Sequence, residues 1–129
     1  MSENFAKNAL SILLPAAFMG CIIALMALAW LPEEVMRRTT LGGHAEHFIA
    51  YLGTSTIMGL AFRKSPRLVV LCALLIMYAA ILEVGQLYSP GRHASFQDFT
   101  FSSAGAVTGT GGWLLWMARS RMLPWLKIG

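Results

Sequence analysis

Charge is what this sequence has least of. Acidic and basic residues together make up 12% of its 129 residues, about half the share usual in a soluble domain, while 57% are hydrophobic. The charges fall in short clusters between long apolar runs instead of alternating along them, which excludes a set of amphipathic helices facing water. Cysteine is scarce too. Cys21 and Cys72 lie inside apolar runs, where a thiol packs as a small hydrophobe, so neither a disulfide framework nor a thiolate metal site is expected. The sequence has no known nucleophile motif, phosphate-binding glycine loop or zinc signature, and no cofactor is called for. Internal repeats and linker-like stretches are missing as well. The net charge of +4 has no basic stripe or aromatic-interleaved platform behind it. Its cations flank apolar segments, so the expected partners are membrane lipids, with no nucleic acid among them.

What is present is a series of runs of membrane-spanning length. Residues 9–31 carry no charge over 23 positions, longer than the roughly 20 that a spanning helix needs. A cleaved signal peptide is the rival reading of this run, since Ala27-Leu28-Ala29 imitates a small-residue cleavage site, but the run is long and its leading segment holds only Lys7 against Glu3. The second run reaches spanning length only if it begins near Gly43, which places His44, Glu46 and His47 in its first turn. The expected spans are therefore 9–31, 43–62, 68–87 and 99–118. The fold class is an all-α membrane protein, a single domain built as a bundle of four transmembrane helices.

Orientation follows from the basic residues. Lys7, Arg63, Lys64, Arg67, Arg119, Arg121 and Lys127 fall on one side of these spans, and Arg37, Arg38 and Arg92 on the other. The richer side is the inner one, so the expected location is the cell membrane, multi-pass, with both termini cytoplasmic. Trp30 at the outer end of the first span, and Trp113 and Trp116 toward the inner end of the fourth, suit interfacial anchors. Gly105 and Gly109 form a small-xxx-small pair, which reads as close helix packing rather than a ligand site. Glu33, Glu34, Arg37 and Arg38 read as a wetted outer segment, and His93 as a solvated loop residue.

This topology brings the start of span two, the end of span three and the start of span four to the same outer depth. His44, His47 and Tyr51 share one helical face, as do Glu83 and Gln86, and as do Asp98, Ser102 and Gly105. Pro90, Gly91, Arg92 and Ser95 lie in the connecting loop. A carboxylate at the centre of a span costs roughly 2.5–3.5 kcal/mol to insert, and less toward the interface, so Glu83 needs a partner. His47, His44 and Arg92 are the cations within its reach.

The ordered set Glu83, Gln86, Pro90-Gly91-Arg92, Ser95 and Asp98, followed by Gly105, resembles the core motif of the VanZ-like family of small membrane proteins. His47-Phe48 with Tyr51 is similar to a second motif of that family. The resemblance runs from about Gly43 to Gly112. The chain departs from it twice, with Gly43-His44 where an Asp-Lys pair is common and Ser102 where an Asn is common. The founding member is associated with resistance to the glycopeptide teicoplanin, a phenotype that does not transfer on resemblance. What the resemblance implies is a membrane protein acting on, binding or sensing an envelope or lipid-linked component.

Two readings of the cluster stay open on sequence. In the first, Glu83, Asp98 and His47 act as acid–base groups, while Arg92, Gln86, Ser95 and Tyr51 bind the substrate. In the second, the same residues are an ion-paired clamp that only fixes how the helices pack. A metal shell of His44, His47, Glu83 and Asp98 is the sharpest alternative to both, and the family's Lys at the place of His44 counts against it.

Overall fold

The first apolar run and the segment before it, with Glu3 and Lys7, fold as one long helix, α1 (Ser2–Trp30), which continues through Pro15. It ends just before Pro32, whose ring disfavours helical backbone at Leu31. A computed structural model of the chain describes residues 2–32, 34–35, 40, 42–63 and 65–122. Three more helices complete the regular structure among the described residues, and no strand occurs there: α2 (Gly43–Ala61), α3 (Leu68–Gln86) and α4 (Phe96–Met122). Gly42 leads into α2 at φ 84°, a left-handed conformation that a side chain rarely adopts. Ser65 and Pro66 turn the chain into α3, with the Ser65 hydroxyl accepting the Arg67 N–H at 3.2 Å.

Helix α4 begins three residues before the expected boundary. Ser95 is its N-cap, accepting the N–H of Asp98 on Oγ at 3.2 Å, so Asp98 lies inside the first turn and not ahead of it. Helix α1 likewise starts earlier than residue 9. Of the residues behind the orientation argument, Arg37, Arg38, Lys64 and Lys127 lie outside the described residues, as does Glu33 of the wetted outer segment.

The helices form a ring in the order α1, α2, α4, α3, and α2 and α3 barely meet across it. The most extensive contact is between α2 and α4. They start at the same end of the bundle, where His44 meets Asp98, and run side by side because α4 offers glycine at the crossing. A Cβ on Gly105 would fall onto the Phe48 carbonyl oxygen and come within 3.0 Å of the Leu52 nitrogen. One on Gly109 would strike the Ser55 hydroxyl and sit 2.8 Å from the Leu52 carbonyl oxygen. Helices α1 and α3 end together on the site side, where the Trp30 indole lies against Gly85.

The interior mixes Leu25, Met58, Leu75 and Leu82 with fully covered Ser55 and Ser102, while large apolar side chains line the outside. On α3, Val70, Leu74, Met77, Ile81 and Val84 form an exposed stripe. Such a stripe of exposed apolar side chains is what a lipid-facing helix presents. By length and composition two helices are apolar enough to cross a membrane, Asn4–Trp30 within α1, and α3. Helix α2 falls below that threshold chiefly because it carries His44, Glu46 and His47, and helix α4 because it is rich in glycine, serine and threonine. The regular structure of the described residues is all helical, and two helices of spanning length and composition point to membrane association. Cys21 and Cys72 are free thiols.

Candidate functional site

A cavity of about 350 Å³ opens between the helices at the end where α2 and α4 begin. All seven residues singled out as acid–base or binding groups line it: His47, Tyr51, Glu83, Gln86, Arg92, Ser95 and Asp98. Three helices supply the polar side. The first turns of α2 bring His44, Glu46 and His47, the last turns of α3 bring Glu83 and Gln86, and the first turn of α4 brings Asp98. Tyr51, Glu83 and Gln86 are buried, whereas His44 is exposed.

His47 stands between the two carboxylates. Its Nδ1 is 4.0 Å from Glu83 Oε1, and its Nε2 is 3.8 Å from Asp98 Oδ2. The ring is steadied by Ser102 on α4, whose Oγ is 3.2 Å from His47 Nδ1. Glu83 Oε2 accepts the backbone N–H of Ser95 at 3.0 Å. That bond ties the end of α3 to the start of α4 and supplies a buried carboxylate with a donor, as its burial requires. Asp98 Oδ1 is 2.7 Å from Nδ1 of His44, and the His44 ring stacks on Phe101 with centroids 5.1 Å apart.

Arg92, expected as a partner of Glu83 or an anion-binding group, has two hydrogen bonds to backbone. It lines the cavity, but Nε donates to the Leu31 carbonyl at 3.0 Å and Nη2 to the Leu28 carbonyl at 2.9 Å. Leu28 is in the last turn of α1 and Leu31 follows its end, where carbonyls lack helical partners and lie at the negative end of the helix dipole. Ser89 adds a third bond there, from Oγ to the Trp30 carbonyl at 3.2 Å. The loop after α3 is thus strapped onto the end of α1.

Sequence reasoning missed the opposite wall. Leu25, Leu28 and Ala29 of α1 face the polar cluster, with Leu82 of α3 beside them. Their spacing of three and four residues is the signal available, but in an apolar run every helical face carries it. His93, read as solvated, is exposed at the mouth of the cavity.

A sequence model of the VanZ/LLP1 family matches residues 4–117, nearly the whole described chain. This protein belongs to the VanZ/LLP1 family. No curated protein and no solved structure matches it. Of the two departures from the VanZ-like pattern, Gly43-His44 lines the cavity and Ser102 is buried on α4 beside His47, and each replacement makes a polar contact. His44, at the common Lys position, provides a nitrogen for Asp98, and Ser102, at the common Asn position, provides the hydroxyl next to His47.

Proposed function

We propose that this VanZ-family protein spans the membrane four times with both termini cytoplasmic, and that its outer-face cavity binds the polar head of a lipid-linked or other envelope component. His47, Glu83 and Asp98 act there as the acid–base group, and Gln86, Ser95, Tyr51 and Arg92 shape the ligand's position. The observation that carries this reading is the two-sided lining of the cavity, with Leu25, Leu28, Ala29 and Leu82 against His47, Glu83 and Asp98. An amphiphile fits such a lining, its head among the ionisable groups and its chain along the apolar wall. The volume is near the lower end of the roughly 300–1,000 Å³ typical of ligand pockets, which suits a headgroup whose acyl chains stay in the bilayer.

The clamp reading is favoured by one observation, that Glu83 and Arg92 both bond to backbone of neighbouring segments. Glu83→Gln separates the two, because it keeps the shape and an acceptor for the Ser95 N–H while removing the charge and the proton affinity. The variant is expected to reach wild-type abundance and thermal stability, yet fail to complement a deletion strain under envelope stress. Full complementation at normal abundance overturns the acid–base reading and leaves the clamp.

A further inference from the structure

His47, Glu83 and Asp98 each offer one donor atom such that the three atoms lie within 4.8 Å of one another. They come from three different helices, so the arrangement is a product of the bundle and not of one helical face. Two carboxylates held this close repel unless a proton or a cation sits between them. Each of the three side chains is also oriented by a group outside the trio. Ser102 Oγ contacts His47 Nδ1, the Ser95 N–H binds Glu83 Oε2, and His44 Nδ1 contacts Asp98 Oδ1. Metal ligands are ordinarily supported in this way, by outer partners that fix ring and carboxylate orientation.

We propose that His47, Glu83 and Asp98 form a binding site for one divalent transition-metal ion, Zn²⁺ or Mn²⁺, with an open coordination position toward the cavity. One imidazole and two carboxylates suit these ions better than Ca²⁺ or Mg²⁺, which take shells of oxygen alone, and the absence of a thiolate disfavours Cu(I). A tetrahedral shell with bonds of about 2.0–2.2 Å sets its ligand atoms about 3.3–3.6 Å apart, which the three side chains reach by moving inward about 1 Å. The site does not need His44 as a ligand. His44 supports Asp98 instead, a role in which the family's common Lys serves equally, so that Lys does not count against a metal. The inference rests on the cavity reading above for what occupies the open position, an anionic headgroup oxygen or water, and the ion itself is tested separately.

Full-length protein in detergent, stripped with a chelator, is incubated with Zn²⁺ or Mn²⁺ alone and desalted, and bound metal per chain is measured together with the melting temperature. The expected result is one ion per chain, a raised melting temperature, and no uptake of Mg²⁺. His47→Gln, Glu83→Gln and Asp98→Asn each lose the ion while keeping the metal-free melting temperature within a few degrees. His44→Gln weakens affinity by about 10–100-fold through loss of an outer support, and His93→Gln leaves it unchanged. Absence of stoichiometric uptake by wild-type protein overturns the site, whatever the variants do, and so does wild-type affinity in Asp98→Asn. A wild-type protein that binds no ion, while Glu83→Gln still fails to complement, removes the metal and leaves the cavity reading standing. An ion bound through the trio in a protein whose Glu83→Gln variant complements fully does the reverse.

Discussion

Arg92 shows how one residue's role depends on what it reaches. Read along the chain it is a cation beside Glu83, available to an anion, and in the bundle two of its nitrogens hold the carbonyl end of α1. A guanidinium serves two carbonyls at once because its donors are fixed in a plane, while an ammonium on a flexible stem does not reproduce that fork. Arg92→Lys is therefore expected to lower stability by about 1–2 kcal/mol, measured as a fall in melting temperature in detergent. An unchanged melting temperature would show that the strap between the outer loop and α1 carries no weight. His44 is the converse case. Its helical face was evident from spacing to His47 and Tyr51, but its partner is Asp98, at 2.7 Å, and not Glu83. Spacing within a helix fixes which side chains share a face, and the neighbouring helix decides which groups they meet.

At the scale of the helices, the decisive contact is the crossing of α2 and α4. The pair Gly105 and Gly109 was visible as a small-xxx-small signature, and the surface it packs on, Phe48, Leu52 and Ser55 of α2, was not. Gly105→Ala and Gly112→Ala make a matched test, since both lie in the same helix and differ in what a Cβ meets. At Gly105 the new methyl runs into backbone, which cannot move without separating the helices, and a loss of about 1–3 kcal/mol is expected. At Gly112 nothing lies within 4 Å, and the gain in helix propensity makes the change neutral or stabilising by up to about 1 kcal/mol. Thermal melts of the two variants check this, and equal effects would mean that the crossing is not the tight contact described. The same contact accounts for much of the low apolar content of α4, whereas in α2 His44, Glu46 and His47 lower it. Small and hydroxyl-bearing residues that look like weak spanning sequence are the ones that let two backbones approach.

At the scale of the whole molecule, the outward stripe of α3 and the apolar length of α1 point to lipid as the solvent, and the distribution of Lys and Arg sets the expected orientation. In a background with Cys21 and Cys72 replaced, Ser65→Cys is expected to resist a membrane-impermeant thiol reagent in intact cells, and His93→Cys to react. Labelling of Ser65→Cys in intact cells would overturn the proposed topology. The helices, the membrane setting and the candidate residues followed from the sequence alone, because hydropathy, length and the order of polar residues are local properties of a chain. The meeting of His47 with Glu83 and Asp98 was expected from their common depth, whereas the ring order, the α1 wall of the cavity and the bonds of Arg92 to carbonyls were decided only by the tertiary structure. Those features depend on which helical faces come together across space, and in a chain whose runs are apolar on every side, periodicity does not single out a face.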